Sequence, residues 1–346
     1  MLTLPHEERS FLAFSDLLTG YRLSSALLLA HDAGVFEAIG REGREAPELC
    51  AGLGWEPVYG ERFLACLGSL GLLRQEGGRY RLSPLAQRYL WSGSPDYQGR
   101  TLAFEQQLRQ SWDQLAATLH AGHRTFATND KSPEELRQAL GTYLGAMDEA
   151  ARIRAGELWE AVPITAARGT LLDVGTGSGA FLVDFLERHP GWRAVFCDLP
   201  EVVANQALHR RLTALEDRIQ GCGCNLLADG PSDFDTIPDT SCDLVLLSNL
   251  IHCQGEVETD RLVCKAAAKT TECGLLVIHD FFSDTGWRGA LYDIHMMLNT
   301  YNGKTYPRQE VLAMAATRGF YYSRTRQLAS GSTALVLARH PEVLAL

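Results

Sequence analysis

The stretch TLLDVGTGSGAF, from Thr170 to Phe181, decides the fold of this chain. An apolar run ends in an acid, three glycines then alternate with small residues, and an apolar helical pattern follows. Glycines at these positions let the backbone turn sharply out of a strand and present N–H groups at the start of a helix. A strand, a glycine turn and a helix in this order predict a site for a nucleotide-like ligand.

The glycine spacing alone fits two ligands, because the dinucleotide fingerprint accepts alanine at its third position and Ala180 stands there. Two features favour S-adenosylmethionine (SAM). Asp173 lies inside the end of the strand, where a carboxylate can face an amino-acid ammonium, and Gly179 adds a third alternating glycine. The next predicted strand, Ala194–Cys197, delivers Asp198 to a position where its carboxylate can accept both ribose hydroxyls of either ligand.

The composition is that of an ordinary globular protein. The chain has 346 residues, enough for two domains, and its hydrophobic (46%) and charged (21%) fractions exclude wholesale disorder. A formal charge of −10 argues against long-range attraction to phosphate backbones or anionic lipid. Neither nucleic acid nor a membrane is therefore predicted as a partner.

The cysteines and the start of the chain bear on the compartment. Nine cysteines, an odd number, are scattered through the sequence, which is typical of reduced thiols. A secretory leader begins with a positively charged segment followed by an apolar one. Met1–Ser10 instead contains two glutamates, an arginine and a histidine, so no leader is expected. No apolar run reaches membrane-spanning length. We therefore expect a cytoplasmic protein.

Residues 1–100 are predicted to form a mainly α winged-helix domain. The apolar spacing over Phe11–Ile39 predicts two helices with more apolar residues than one packing face needs, which suggests a partner chain. Two shorter predicted helices, Glu48–Gly54 and Tyr59–Leu73, precede a hairpin over 72–82 with a Gly-Gly turn. A series of helical patterns followed by a hairpin indicates a winged helix.

The candidate recognition helix of this domain, Gly60–Ser69, has one arginine, one glutamate and mostly apolar residues. Reading base edges in a DNA groove requires arginine, lysine, asparagine or glutamine side chains. DNA binding is therefore not expected, and the domain is predicted to be an interaction module.

Residues 101–165 are predicted to form a helical segment between two domains. The composition of 92–100 (SGSPDYQGR) indicates a linker before it, and helical patterns cover 101–121 and 133–160. The apolar stripe of these helices, which includes Met147, suits either the roof of an acceptor pocket or ordinary core.

Residues 166–346 alternate between strand and helix patterns, which predicts a parallel, doubly wound α/β sheet. Near the end, Phe320–Leu328 and Thr333–Ala338 predict a hairpin. An antiparallel pair that closes a parallel sheet is typical of the Rossmann-like class I methyltransferase sheet and not of an NAD domain. The predicted strands are 170–174, 193–198, 219–224, 242–248 and 274–280, and the predicted helices are 179–188, 201–215, 256–270 and 308–318.

Five stretches occur together in this chain: LGLL at Leu70–Leu73, the glycine turn at Asp173–Gly179, FCDLPEVV at Phe196–Val203, SNLIH at Ser248–His252, and Gly319-Phe320. In these, and over nearly its whole length, the chain resembles the small-molecule O-methyltransferases that include the acetylserotonin and caffeate methyltransferases. The run Asp-Leu-Pro-Glu-Val is more specific to that family than the glycines are.

The resemblance implies SAM as methyl donor, a homodimer formed through the N-terminal domain, and a histidine base. His252 matches the base and Asp280 an acid that orients it, which is chemically coherent because histidine titrates near neutrality. Met147, Met296 and Asn299 are expected to contact the acceptor. The cofactor-binding residues implied by the resemblance are Asp173, Gly175, Gly177, Gly179, Asp198, Leu199, Asn225, Leu226 and Ser248.

Three positions depart from the family pattern. Cys253-Gln254 replaces an Asp-Trp pair whose tryptophan lies near adenine, and Cys224-Asn225 replaces a Gly-Asp pair whose acid reaches the adenine amino group. The Asn225 amide oxygen can accept the same hydrogen bond without charge. Gly303–Pro307 replaces a Gly-x-Glu-Arg run that supplies a second orienting acid. We therefore expect SAM to bind, with altered contacts and lower affinity.

Several thiols and histidines are expected near one edge of the sheet, namely Cys222, Cys224, Cys253, His252 and His279. A C-x-C pair without a second close pair is weak spacing for zinc, so no metal is predicted. The segment 296–302 suits an aromatic acceptor, because thioethers pack adaptably on rings, although ordinary core explains the methionines equally well. Its candidate residues are Met296, Met297, Asn299, Tyr301 and Asn302.

These observations lead to one interpretation with two alternatives. The chain is predicted to be a homodimeric SAM-dependent methyltransferase that acts on a hydroxyl of a small aromatic or polyketide-like molecule. In the first alternative, the chain binds SAM but methylates carbon, nitrogen or sulfur, or does not methylate. In the second, it is a ligand-sensing regulator that uses its winged helix, which the acidic charge disfavours.

Overall fold

The computed structural model describes residues 10–125, 133–228 and 232–344, without the side chains of 133 and 135–140. The expectation that the chain start carries no leader concerns residues 1–9, which lie outside these ranges. The chain divides into two compact units. The N-terminal unit consists of Met1–Arg109 and Arg137–Glu149, and the C-terminal unit of Gln110–Leu136 and Ala150–Leu346.

The N-terminal unit contains helices and a small antiparallel sheet. In chain order its elements are α1 (Phe11–Thr19), α2 (Tyr21–Asp32), α3 (Val35–Ile39), β1 (Arg44–Glu45), α4 (Ala46–Leu53), α5 (Pro57–Ser69), β2 (Leu73–Glu76), β3 (Arg79–Leu82) and α6 (Pro84–Tyr89). The predicted order of helices followed by a hairpin is present, and its turn residues Gly77 and Gly78 adopt left-handed φ values of 57° and 81°. β1, which was not predicted, extends the hairpin in the order β1-β3-β2.

Helix α1 buries no residue within its own unit. Its apolar side chains are largely exposed, as Phe11 (81%), Phe14 (57%) and Leu18 (64%) illustrate. The core of the unit is formed instead by α2 to α6 and the hairpin, where residues such as Leu64 and Leu67 are fully buried. The apolar surplus predicted from the sequence is therefore located mainly on α1.

Three helices follow: α7 (Gly99–Trp112), α8 (Leu115–Ala121) and α9 (Pro133–Ala161). They cover the segment predicted as 101–165, but α7 and α9 each contribute residues to both units. The last turns of α9 belong to the core of the C-terminal unit, where Leu158 is fully buried and Trp159 Nε1 donates to the Phe181 carbonyl at 2.9 Å. In the described ranges, no helix combines the length and apolarity that crossing a membrane requires.

The C-terminal unit is built on a seven-stranded sheet in the order β6-β5-β4-β7-β8-β10-β9. Strands β4 to β8 are parallel, and β10 pairs antiparallel with both β8 and β9. The predicted class I methyltransferase sheet with a terminal hairpin is confirmed. Its elements are β4 (Gly169–Val174), α10 (Ala180–Arg188), β5 (Trp192–Asp198), α11 (Pro200–Val203), α12 (Gln206–Leu212), β6 (Ile219–Gly223), β7 (Cys242–Ser248), α13 (Glu256–Lys269), β8 (Thr270–Asp280), α14 (Trp287–Asn299), α15 (Arg308–Ala316), β9 (Tyr322–Gln327) and β10 (Thr333–Ala338).

Both faces of this sheet are buried, which explains the nearly continuous apolar strands. In β4, Leu172 and Val174 pack on the side of α13 and α15, whereas Leu171 packs on the side of α9, α10 and α12. Because strand order reverses at β4, the carboxyl ends of β4, β5 and β7 border a crevice of the kind in which doubly wound sheets bind ligands.

Further elements differ from the sequence prediction, and α14 was not predicted at all. The helix expected over 201–215 is broken, because the Asn205 side chain accepts the Ala207 N–H at 2.8 Å and starts a new helix there. Strand β8 begins at Thr270 rather than at 274.

Candidate functional site

The glycine turn follows β4 as predicted. Gly175, Gly177 and Gly179 have φ values of 77°, 53° and 75°, all in the left-handed region where glycine is favoured. The N–H groups of Gly175 and Thr176 donate to the Cys197 carbonyl of β5 at 2.8 and 3.2 Å. The turn is thereby fixed to the neighbouring strand, and α10 starts directly after Gly179.

Asp198, at the end of β5, holds the turn from the other side. Its Oδ2 accepts the Gly177 N–H at 2.8 Å, and its Oδ1 accepts the Leu199 N–H at 2.8 Å. Burial raises the pKa of Asp198, and these two backbone hydrogen bonds act in the opposite direction. The carboxylate therefore organises the turn in addition to being available to a ligand.

A cavity of about 330 Å³ opens beside the turn and is called the glycine-turn cavity below. Five predicted cofactor residues line it: Gly175, Asp198, Leu199, Asn225 and Leu226. Asp173, Gly177, Gly179 and Ser248 are not among its lining residues. Cys224, Leu227, Leu250, Gln254 and Leu262 complete the lining. Two of the sequence departures, Asn225 and Gln254, therefore lie in the cavity itself.

The Asn225 side chain is already engaged within the chain. Its Oδ1 accepts the Leu227 N–H at 3.0 Å. An amide oxygen has two lone pairs, so one remains for a further hydrogen bond. The position therefore offers one neutral acceptor to the cavity, where an aspartate would offer a charged one.

Asp173 is 2% exposed, and its Oδ2 accepts the Thr176 hydroxyl at 2.8 Å. Burial raises its pKa from 3.8 to about 7, and the Thr176 hydrogen bond acts in the opposite direction. A buried carboxylate of this kind is stabilised when a cationic group of a ligand comes close.

We expect Asp173→Asn to stabilise the unliganded protein at alkaline pH. The pKa of this carboxyl is about 7 in the folded protein against a reference of 3.8, so its ionisation destabilises the folded state progressively between these values and fully above pH 7. At pH 8 the variant should gain about 2–4 kcal/mol in the free energy of unfolding, and less at pH 5. Urea unfolding at both pH values measures this difference. Asp184→Asn, at a more exposed acid, is the control, and a gain of equal size at both pH values would contradict the assignment.

His252 and Asp280 form a buried pair at the ends of β7 and β8. His252 lies in a 3₁₀ turn, Ile251–Cys253, and its Nδ1 is hydrogen-bonded to Asp280 Oδ1. The same carboxylate oxygen accepts the Phe281 N–H at 2.7 Å. Burial disfavours the imidazolium, but the charge of Asp280 and its hydrogen bond raise the pKa of His252 well above 6.5. With Nδ1 bound to the carboxylate, Nε2 is the nitrogen available for chemistry.

Tyr292 of α14 faces this nitrogen, and sequence reasoning missed it. Its hydroxyl lies 3.5 Å from His252 Nε2, and the two rings meet edge to face with centroids 5.3 Å apart. The signal available in the sequence was its position four residues before Met296, which places both on one face of a helix. The spacing alone does not show that this face of the helix points to His252, because that depends on where α14 packs in the fold.

Ser248 and His279 form a second polar pair. His279 is fully buried, with its Nδ1 2.8 Å from the Ser248 hydroxyl and its Nε2 2.8 Å from the Ser332 hydroxyl. Burial lowers the pKa of His279 to about 3, so this imidazole is neutral at pH 7. Ser248 therefore supports His279 rather than lining the cavity.

Asn249 follows directly and has an unusual conformation. Its φ is 50°, its N–H donates to the His279 carbonyl at 2.8 Å, and its Nδ2 donates to the Ser248 hydroxyl at 3.1 Å. Its Oδ1 is buried and has no hydrogen-bond partner among the described residues. A buried acceptor without a donor indicates a place where a ligand donor would be favourable.

The residues predicted to contact the acceptor lie in different parts of the structure. Met297, Tyr301 and Asn302 line a second cavity of about 260 Å³ in the C-terminal unit. Gly303 also lines it and lies against the backbone of His252, because a Cβ at this position would be 2.4 Å from the His252 carbonyl oxygen. Met296 is buried, and the Asn299 amide donates to the His295 carbonyl at 2.9 Å. Met147 is 38% exposed on α9, in the segment that belongs to the N-terminal unit.

Three thiols lie close together at the glycine-turn cavity, and one of them, Cys224, lines it. The Sγ atoms of Cys197, Cys222 and Cys224 are all within 4.8 Å of one another, so the cluster includes Cys197 rather than Cys253. Burial raises the pKa of Cys224 to about 12 and that of Cys197 well above its ordinary value. Cys197 and Cys224 are therefore neutral thiols at pH 7, and the absence of a bound metal stays a prediction.

Comparisons with known proteins agree with this architecture. The family model for the O-methyltransferase domain matches residues 105–321, and that for the O-methyltransferase dimerisation domain matches residues 15–92. The 3-hydroxy-5-methyl-1-naphthoate 3-O-methyltransferase of Streptomyces sahachiroi is 27% identical over 91% of this chain and 91% of its own length. The tetracenomycin polyketide synthesis 8-O-methyltransferase of Streptomyces glaucescens is 27% identical over 92% of this chain and 93% of its own.

A solved structure shows the same fold at lower identity. Human N-acetylserotonin methyltransferase in complex with SAM superposes with a TM-score of 0.76 and 20% identity, covering 96% of this chain and 99% of that one. The O-methyltransferase domain model spans more than half of the present chain, and the dimerisation model covers most of its N-terminal part. The chain therefore belongs to the O-methyltransferase family.

Proposed function

We propose that this chain transfers the methyl group of SAM to a hydroxyl of a small aromatic or polyketide-like molecule. The observation that carries the proposal is that the glycine-turn cavity and the His252–Asp280 pair lie at the same edge of one sheet. The names of the relatives, which act on a naphthoate and on a polyketide, support this acceptor class.

The residues of the cavity fit SAM. Asp198 offers a carboxylate to the ribose hydroxyls, and Leu199 and Leu226 offer apolar walls to the adenine. The buried Asp173 and the Oδ1 of Asn249, which has no hydrogen-bond partner within the described ranges, suit the ammonium of an amino acid. When bound, SAM supplies an electrophilic methyl group on a sulfonium.

Side chains of the protein accept the proton of the acceptor hydroxyl and orient the reacting groups. Neutral His252 accepts the proton of the acceptor hydroxyl at Nε2, while Asp280 keeps the imidazole oriented through Nδ1 and stabilises the imidazolium that forms. The Tyr292 hydroxyl, 3.5 Å from Nε2, borders the place where the acceptor oxygen must lie. Burial of the pair keeps the imidazole in one orientation, which aids positioning of the reacting groups.

The direct test is incubation with methyl-labelled SAM and a panel of phenols, hydroxynaphthoates, amines and thiols, with products identified by mass spectrometry. The proposal predicts labelled methyl ethers. Products methylated only on nitrogen, carbon or sulfur would establish the first alternative instead. Binding of SAM without any methylated product across the panel would favour a non-methylating member of the family.

Asn225→Asp is expected to tighten SAM binding. A hydrogen bond to a charged acceptor contributes about 1 kcal/mol more than one to a neutral acceptor, so the Kd should fall about five- to tenfold. Isothermal titration calorimetry with SAM measures the change, and Asn225→Ala serves as the matched loss-of-acceptor variant. An equal or higher Kd for the aspartate variant would show that this side chain does not reach the donor.

We further propose that the chain is a homodimer formed through its N-terminal unit, as the dimerisation-domain match and the exposed apolar side of α1 suggest. Size-exclusion chromatography with light scattering should give a dimer for the native chain. The double substitution Phe14→Asp and Leu18→Asp should give a monomer, because it places two charges on that apolar surface. Val257→Asp, at a side chain 71% exposed in the C-terminal unit, is the control. A monomeric native chain would refute the proposal.

A further inference from the structure

Arg154 of α9 lies in the C-terminal unit, and its only contact of note among the described residues is with an aromatic ring. Its guanidinium stacks on the Phe281 ring, 4.9 Å from the centroid. Among the described residues, no side chain or carbonyl forms a hydrogen bond or ion pair with it. Arg339 shows the usual arrangement in this unit, because its guanidinium donates to the carbonyls of Thr270, Thr271 and Ala267. The five N–H donors of Arg154 are thus available to a ligand.

This arginine is close to the proposed base. Phe281, on which it stacks, directly follows Asp280 and packs on Tyr292 with ring centroids 4.3 Å apart. The Tyr292 hydroxyl is in turn 3.5 Å from His252 Nε2. Successive contacts therefore connect Arg154 to His252 through the rings of Phe281 and Tyr292.

The carboxylates near Arg154 are engaged elsewhere. Asp280 is bound to His252 and to the Phe281 N–H, and Glu157 accepts the Ser330 N–H at 2.9 Å. Burial lowers the pKa of Arg154, and Tyr292, Asp280 and Glu157 act in the opposite direction. A largely desolvated cation without a hydrogen-bonded partner is unfavourable unless an anion binds it. The planar fork of a guanidinium matches a carboxylate in geometry.

We propose that Arg154 binds a carboxylate of the acceptor, on the same molecule as the hydroxyl that is methylated. This rests on the proposed function and narrows its substrate class to aromatic hydroxy acids. The methionine carboxylate of SAM is the other source of the same chemistry. The acceptor is favoured because Arg154 stacks on Phe281, Phe281 packs on Tyr292 beside His252, and none of the three lines the glycine-turn cavity.

The test compares hydroxybenzoic and hydroxynaphthoic acids with their methyl esters. The native enzyme should turn over the acids with kcat/KM about 30- to 100-fold above the esters, as expected for a charge-assisted bidentate pair. Arg154→Gln should lose this preference, mainly through a higher KM for the acids, while its kcat/KM for the esters and its Kd for SAM stay unchanged. Arg154→Lys, which keeps the charge without the fork, should restore part of the preference. Arg188→Gln is the control, because Arg188 packs near the same helix but is paired with Asp184 at 2.7 Å.

Either of two kinetic and donor-binding results would overturn the proposal. The first is a native enzyme that does not distinguish the acids from their esters. The second is an Arg154→Gln variant whose Kd for SAM rises while its acid preference stays, which would assign Arg154 to the donor. Calorimetric titration of the hydroxy acids keeps this test separate from the catalytic proposal. If no methyl ether forms, acid binding that Arg154→Gln abolishes still supports the carboxylate site, and equal binding to both proteins refutes it.

Discussion

Replacing His252 with alanine is expected to lower kcat for methyl transfer by about 10²- to 10⁴-fold, the usual contribution of a positioned general base. The affinity for SAM should stay close to the native value, because His252 is not among the residues that line the glycine-turn cavity. Single-turnover and steady-state rates with labelled SAM, together with calorimetric Kd values, separate these two effects.

The pH dependence provides a second readout of the same substitution. Since only the neutral imidazole accepts a proton and the pKa of His252 is raised above 6.5, kcat/KM of the native enzyme should rise with pH through a midpoint above 6.5. The alanine variant should lose this rise. His340→Ala is a matched control. His340 also lies near a carboxylate, with its Nε2 3.8 Å from Glu272 Oε2, but its side chain is exposed and follows the last strand. Native rates and an unchanged pH profile in the His252 variant would show that this residue is not the general base.

Replacing Asp198 with alanine is expected to weaken SAM binding by about 10²- to 10³-fold. A charged acceptor that bonds two hydroxyls contributes about 3–4 kcal/mol, which corresponds to that change in Kd. The variant also removes the acceptor of the Gly177 and Leu199 N–H groups and so loosens the turn itself.

Asp243→Ala separates the ligand contact from general destabilisation. Asp243 likewise accepts a backbone hydrogen bond, from the Thr170 N–H at 2.8 Å, but it lies at the start of β7. Thermal unfolding of both variants shows how much stability each loses, and calorimetry shows the Kd for SAM. Equal Kd values for the Asp198 variant and the native chain would remove Asp198 from the cofactor site.

Much of the fold could be predicted because the deciding signals are local. The apolar strands, the glycine turn and the terminal hairpin are each encoded within about ten residues, and the sheet order follows from right-handed crossovers between them. The break at Asn205 was missed because its side chain competes with the helix for a backbone N–H, which apolar periodicity does not reveal.

The site residues that come from one sequence motif could be predicted. The residues that come together from distant parts of the sequence could not. The turn residues and Asp198 come from adjacent stretches of sequence, and five predicted cofactor residues do line one cavity. Arg154 and Tyr292 are 138 positions apart in the sequence, and both pack on the Phe281 ring. Likewise, the engagement of Asn225 by the Leu227 N–H depends on the backbone conformation of the local turn, which the residue type alone does not determine.

The most direct measurement of the central claim is calorimetric titration of the native chain with SAM and, separately, with NAD. The account predicts one SAM site per chain with a Kd between about 1 μM and 1 mM, the usual range for enzyme substrates, and no heat with NAD. Saturable binding of NAD, with no binding of SAM at millimolar concentration, would contradict it.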